Sequence, residues 1–260
     1  MNQESVLSNS DGSIFAILQK SFSAFQQMHA RRPYIIGITG SVSSGKSTLA
    51  RALQNFFVEN VGVQTEVIST DGFLFPNAIL AEKNLMQKKG FPESYDWEHV
   101  LAFMQQLRNG SSNIFAPTYS HSIYDVLVEE RQLNPEAGVV IIEGLNVLQG
   151  DSEERSIRKF LDFSVYIDAD EQDIESWYID RFLQLRREAA QNPTLYFYKF
   201  AQWNEAQTIA YAKNIWATIN LPNLHQHIAP TKTRATMIIK KSREHQISLT
   251  TASVADTRTH

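Results

Sequence analysis

The sequence predicts an α/β fold with a mostly parallel central sheet flanked by helices. Short apolar runs alternate with longer segments of helical period, the pattern of strands joined by crossover helices. The runs Tyr34–Thr39 (YIIGIT) and Val139–Ile142 (VVII) carry almost nothing polar, as strands covered on both faces require. A glycine-rich turn joins the first of these runs to the helical segment that follows it.

In chain order, the first ten residues are polar and expected to be loose. Asp11 then reads as a helix N-cap, with Ile14, Phe15, Leu18, Phe22, Phe25 and Met28 following as one apolar stripe that packs on the main body. After the strand Tyr34–Thr39, Lys46–Val58 reads as a helix with Leu49, Leu53, Phe56 and Phe57 inward, broken by Gly62. Thr65–Thr70 is the second strand, and Trp97–Leu107 is a helix stopped by Asn109–Gly110. Val139–Ile142 and Phe163–Asp168 are further strands. Glu171–Ala190 and Phe200–Ile219 are helices, and Met237–Lys240 is the last strand. Two stretches break the alternation: the loop Lys88–Asp96 (KKGFPESYD), and an extended excursion over Asn113–Leu133 with Tyr119, His121 and Tyr124. Long loops at the strand ends of open sheets are where ligands bind. The expected organisation is an N-terminal helical segment over 1–32, a main α/β domain over 33–249 and a flexible tail over 250–260.

Composition narrows the function classes. With 43% hydrophobic and 20% charged residues, the 260-residue chain is ordinary globular protein and not a disordered one. A net charge of −4 argues against a dedicated nucleic-acid or anionic-membrane binder. The absence of cysteine excludes disulfides, zinc–thiolate sites, iron–sulfur clusters and thiol catalysis. No apolar run approaches the ~20 residues of a membrane span, and MNQESVLSNSDGS lacks the basic start and apolar core of a secretion signal. Cytoplasmic residence is therefore expected.

The chemistry concentrates in Gly40-Ser41-Val42-Ser43-Ser44-Gly45-Lys46-Ser47, which matches G-x-x-x-x-G-K-S/T between a strand and a helix. Gly40 and Gly45 let the backbone approach a phosphate, and successive N–H groups and the helix N-terminus face the anion. Lys46 neutralises β/γ oxygens, and the Ser47 hydroxyl is a ligand for Mg²⁺. Such a loop needs an acid for the metal shell. Glu143 follows four apolar strand residues and emerges at the strand's C-terminal edge. Asp71 follows the second strand and reaches the same edge, where it can accept or orient the proton of an attacking hydroxyl; a turn-stabilising Asp is the alternative. Arg181, Arg186 and Arg187 share one helix. Surface ion pairs are the ordinary role of such residues, and a charge-neutralising lid is the functional one.

Beyond the loop, the strings GITGSVSSGKSTLARAL, STDGFLFPN, LMQKKGFPESYD, APTYSHSIYDV, IIEGLNVLQ, DFSVYIDA, WYIDRFL and INLPNL together resemble the bacterial type I pantothenate kinase family, from about Pro33 to about His245. The resemblance implies a P-loop kinase fold, a homodimer, and ATP-dependent phosphorylation of pantothenate at the start of coenzyme A biosynthesis. It implies that Gly40–Ser47, with Thr48 beside it, binds nucleotide together with Lys241 and His245 of KKSREH. Asp71 matches the family's base and Glu143 its metal acid. Tyr119, His121, Tyr178, Tyr196, Phe197 and Asn220 match its pantothenate pocket, Arg181 an arginine near the phosphates, and Arg51 an arginine associated with coenzyme A inhibition, a site His121 shares.

This sequence departs from the family at three places. The stretch ahead of Pro33 is much shorter than the usual N-terminal extension, which puts any adenine contact from that arm in doubt. Leu185 replaces a ring that stacks on the coenzyme A adenine, so feedback inhibition is expected to be weaker. Phe200 stands where a tyrosine is common. A uridine- or phosphoribulose-type kinase, and a nucleotide-gated module that hydrolyses ATP without phosphorylating anything, remain the alternatives.

Overall fold

The computed structural model describes residues 11–29, 32–134, 136, 138–150 and 156–252. Its first elements are helix α1 (Asp11–Met28), strand β1 (Tyr34–Gly40), helix α2 (Lys46–Phe56), strand β2 (Thr65–Ser69), the short helix α3 (Asn77–Glu82) and helix α4 (Trp97–Arg108). The excursion follows as two small antiparallel ladders, β3 (Phe115–Ala116) with β6 (Arg131–Gln132) and β4 (Tyr119–Ser120) with β5 (Asp125–Val126). Strands β7 (Val139–Glu143) and β8 (Phe163–Asp168), helices α5 (Glu171–Ala189), α6 (Glu205–Ile215) and α7 (Leu221–Asn223), and strands β9 (Met237–Lys241) and β10 (Ile247–Ala252) complete it. The main sheet runs β10-β9-β8-β1-β7-β2, parallel throughout except for β10 against β9.

Strand parity assigns the two layers, because successive side chains point to opposite faces. Ile36, Ile38, Val139, Ile141, Val165 and Ile167 face α1 and α2, where Leu18, Phe22 and Leu53 are buried, and Phe57, which opens the π turn Phe57–Val61 continuing α2. Ile35, Val140, Ile142 and Ile68 face α4 through Val100, Phe103, Met104 and Leu107. Both faces being covered is why the strands read as continuous apolar runs.

Helix α1 is held by more than its apolar stripe. Arg32 grips Asp162 with both guanidinium nitrogens, at 2.7 and 2.9 Å, and lies 4.5 Å over the Phe25 ring. The same carboxylate accepts from Arg108 Nη1 at 3.0 Å and from the Ile35 amide at 2.9 Å. Removing one anion from this hub leaves a largely buried arginine and a backbone N–H without their partner. Asp162→Ala is expected to cost about 3 kcal/mol and to lower Tm by about 6–12 °C, with turnover in the cold retained; a thermal melt checks it.

Several expectations are corrected. Met28 is 57% exposed and not part of the buried stripe. The helix expected to begin at Phe200 begins at Glu205, where Asn204 and Gln207 form a reciprocal capping box; Tyr196–Phe200 is a separate 3₁₀ turn. The helix expected over Phe200–Ile219 continues past Ile215 as a wide π turn over Trp216–Asn220, ahead of Pro222, whose ring nitrogen has no N–H to offer the α ladder. Strand β10 reaches Ala252, so Thr251 and Ala252 pair with β9, Thr250 lies in the bulge between Leu249 and Thr251, and none of the three is tail; its mix of half-buried and exposed residues is too polar to stand out in sequence. The expectations for residues 1–10 and 253–260 lie outside the described residues.

Candidate active site

Parallel pairing brings the strand tips to one edge. Glu143 is in register with Ile38 on β1 and with Ser69 on β2. The loop Gly40–Ser47 leaves β1 at that edge. Gly45 takes φ 99°, a left-handed value that favours glycine, and enters α2 as its N-cap. Ser41, Ser43 and Ser44 each bury a hydroxyl oxygen with no protein hydrogen-bond partner, the condition in which a ligand bond gains most. Lys46 folds back so that Nζ donates to Ser41 O at 2.8 Å. Burial holds its ammonium below the ordinary lysine range, while Glu143 and then Asp71 pull it back up.

The two acids meet because Gly144 has no side chain. A Cβ there would lie 1.8 Å from Thr70 Oγ1, so only glycine lets the turn after β2 close against the tip of β7. Asp71 sits in that turn (Thr70–Phe73), its amide donating to Ser69 Oγ at 3.3 Å. Glu143 is buried and accepts from Ser47 Oγ at 2.9 Å. Burial raises its carboxyl above the usual range, and Lys46 draws it back. One carboxylate and one hydroxyl are hard oxygen donors of the kind that hold Mg²⁺ beside a polyphosphate, with phosphate and water supplying the rest of the shell. Among the described residues no group of three or more His, Cys, Asp or Glu gathers.

A single cavity of about 360 Å³ brings together Val42, Ser43, Lys46, Ser47, Asp71, Glu143, Tyr119, His121, Tyr178, Arg181, Tyr196, Phe197 and Asn220. Tyr119 and His121 stand 5.1 Å apart, ring to ring, on the excursion. Burial raises Tyr119 far above the ordinary phenol range and Tyr178 to about 12, so both remain hydroxyl donors. Asn220 Nδ2 is buried without a hydrogen-bond partner. Arg181 is exposed at the rim.

Other residues singled out in the sequence lie outside this cavity. Lys241 donates to Ser44 O at 3.0 Å from behind the loop, and Nζ lies 4.2 Å over the Trp177 ring. The His245 ring lies 5.0 Å from the same indole. Gly40, Ser41, Ser44, Gly45 and Thr48 complete the loop without lining the cavity, and Arg51 is exposed on α2 away from it.

Sequence reasoning missed Lys89, Phe182 and Tyr211, which line the cavity together with Tyr124 of the excursion. Lys89 Nζ donates to Asn77 Oδ1 and Tyr124 O, both at 2.7 Å, and lies 4.3 Å over the Tyr124 ring. Its neighbour Gly90 (φ 95°) offers a carbonyl that accepts from Asn146 and Asn223. A lysine beside a glycine in an aromatic loop was the available signal. Ser43, Tyr124 and His245 are three of the four described non-glycine residues with left-handed backbone, so strain concentrates around this region.

Burial pushes Lys89 down to about 8, against the pull of Asp125 and Asp71. Burial, with Lys46 adding to it, does the same to Lys241, also to about 8. With anionic substrates, kcat/KM is expected to fall as pH rises through about 8, and the kcat limb lies higher because bound phosphate restores the charged forms. Stability moves the other way. The unfolded chain keeps these protons up to about 10, so over that window it binds more protons and the contribution of both groups to stability rises with pH. Rate and Tm profiles across this range check both signs.

Among the described residues no helix is long and apolar enough to cross a membrane. The model of the Phosphoribulokinase / Uridine kinase family matches residues 35–188. A pantothenate kinase of Limosilactobacillus fermentum is 42% identical over 247 residues, covering 90% of this chain and 80% of that one. A pantothenate kinase of Streptococcus pyogenes is 42% identical over 241 residues, covering 90% and 78%. The D-glycerate 3-kinase of Cryptococcus neoformans superposes with a TM-score of 0.66 at 12% identity, covering 92% of this chain and 98% of that one, and so shares the fold. With its nucleotide loop, strand-tip acids and adjoining acceptor-sized cavity, the chain belongs to the phosphoribulokinase/uridine kinase family of P-loop kinases and, within it, to the pantothenate kinases.

Proposed function

We propose that this protein transfers the γ-phosphoryl group of ATP to the primary alcohol of pantothenate, giving 4'-phosphopantothenate, the first step of coenzyme A biosynthesis. The observation that carries this reading is one cavity joining a phosphate loop to a wall of phenols and an unpaired amide donor, with Asp71 on the same surface. Pantothenate is a small acid with hydroxyl and amide groups, and Tyr119, His121, Tyr178 and Asn220 supply the matching donors. Tyr196 and Phe197 cover its apolar part. Asp71 orients the hydroxyl and takes its proton, Lys46 and Arg181 hold charge on the transferred group, and Ser47 and Glu143 would hold Mg²⁺, which neutralises phosphate charge when bound. Lys241 and His245 lie on the adenine side.

ADP release should saturate with pantothenate and stay at background with uridine or ribulose 5-phosphate. Equal ADP release without any acceptor would instead support a nucleotide-hydrolysing module. The same reading makes the protein a cytoplasmic homodimer inhibited by coenzyme A through Arg51 and His121. Leu185 lines the cavity beside Phe182. Leu185→Phe is expected to tighten that inhibition by about 0.5–1.5 kcal/mol, the value of one aromatic pair, measured as the inhibition constant at fixed ATP.

A further inference from the structure

The acceptor wall opposite α5 is a short turn with few backbone ties to the rest of the fold. Tyr196–Phe200 is one 3₁₀ helix, and further turn residues lead from it to Trp203 and then to α6. Tyr196, Phe197 and Phe200 line the cavity from this turn. At its head, the Tyr196 amide donates to Ser122 O at 2.8 Å on the excursion. Its ring contacts with α5, such as Phe182–Phe197 at 5.0 Å and Phe182–Phe200 at 5.2 Å, are apolar and leave the sliding position weakly specified.

The tail is held differently. The Trp203 amide donates to Phe200 O at 3.0 Å, and that carbonyl has a second lone pair to offer. Arg186 of α5 reaches across, donating from Nε to Phe200 O at 3.1 Å and from Nη2 to Trp203 O. A guanidinium presents its donors in a rigid plane, so one side chain fixes two carbonyls at once. Arg186 does not line the cavity, although Phe182 and Leu185 on the same helix do.

We propose that Arg186 is a positioning residue for the acceptor: by fastening the Tyr196–Trp203 turn to α5, it sets how far Tyr196 and Phe197 stand into the cavity, while Phe182 packs against the back of that turn. This rests on the reading that a small alcohol occupies that end of the cavity. The nucleotide loop lies on other elements, so the effect falls on the acceptor alone.

Arg186→Met keeps the aliphatic stem and removes the donors; Arg186→Lys returns one donor. The Met variant is expected to raise KM for pantothenate about tenfold, with kcat and KM for ATP unchanged, and the Lys variant to recover part of the loss. Hydrogen exchange at the Tyr198, Ala201 and Trp203 amides should quicken in the Met variant while the sheet amides keep their rates. An unchanged acceptor KM would overturn the proposal, as would a parallel rise in KM for ATP with faster exchange throughout the chain. If the wild-type enzyme shows no pantothenate-dependent turnover, the functional reading fails, and the exchange comparison decides alone: unaltered protection of the turn in the Met variant overturns Arg186 as its fastener.

Discussion

Asp71→Ala is expected to lower kcat by about 10²–10⁴ while ATP still binds. The reason is positional. Asp71 sits beyond β2 in a turn that the bare Gly144 lets close against the tip of β7. From there its charge acts on both halves of the site, on Lys46 at the phosphate loop and on Lys89, Tyr119 and Tyr124 around the acceptor end. An alcohol attacking a phosphoryl group needs its proton accepted or its lone pair aimed, and in the proposed reaction that task falls to Asp71, which lines the cavity. Asp71→Asn separates the two roles, because an amide orients through hydrogen bonds but does not take the proton. In either variant Lys89 loses one of the anions that raise its pKa. The alkaline limb of kcat/KM should therefore move below its wild-type position near 8. Near-normal turnover in Asp71→Ala removes this residue from the chemistry.

Lys46→Met is expected to lower kcat by about 10²–10³, because the ammonium matters most where charge builds on the transferred group. The substitution keeps an unbranched stem and removes one cation from a desolvated position. Lys46 lies among Ser41 O, Glu143 and Asp71, so its loss leaves two acids facing a polyanion with less compensation. Glu143 supplies a second readout. Burial already raises its carboxyl and Lys46 lowers it. Without the lysine, Glu143 protonates at higher pH, so the acid limb of the residual activity should shift upward. An unchanged acid limb would show that the two residues do not share a field.

The fold was legible in the sequence where burial on two faces writes a simple pattern. The strands at Tyr34, Val139 and Phe163 are apolar because helices cover both sides, and that pattern needs no knowledge of their partners. Strand β10 was illegible for the opposite reason. It is an edge strand with one open face, and its Ser and Thr residues read as tail. The helix expected from Phe200 failed because its aromatics serve the Phe182 and Tyr211 cluster and not a helical stripe. Asn204, the true N-cap, carries a signal visible only once the segment is divided correctly.

The phosphate loop and the two strand-end acids were determined by sequence alone, because each depends on local chemistry: glycines for backbone approach, a lysine and a hydroxyl at fixed spacing, a carboxylate after an apolar run. Only the tertiary structure decided what faces them. Lys89, Tyr124, Phe182 and Tyr211 lie far apart in the chain, and their shared cavity exists because parallel strand order and the folded-back excursion deliver them to one sheet edge. Residue spacing encodes neighbours along one element, whereas a wall built from several elements is set by packing between them.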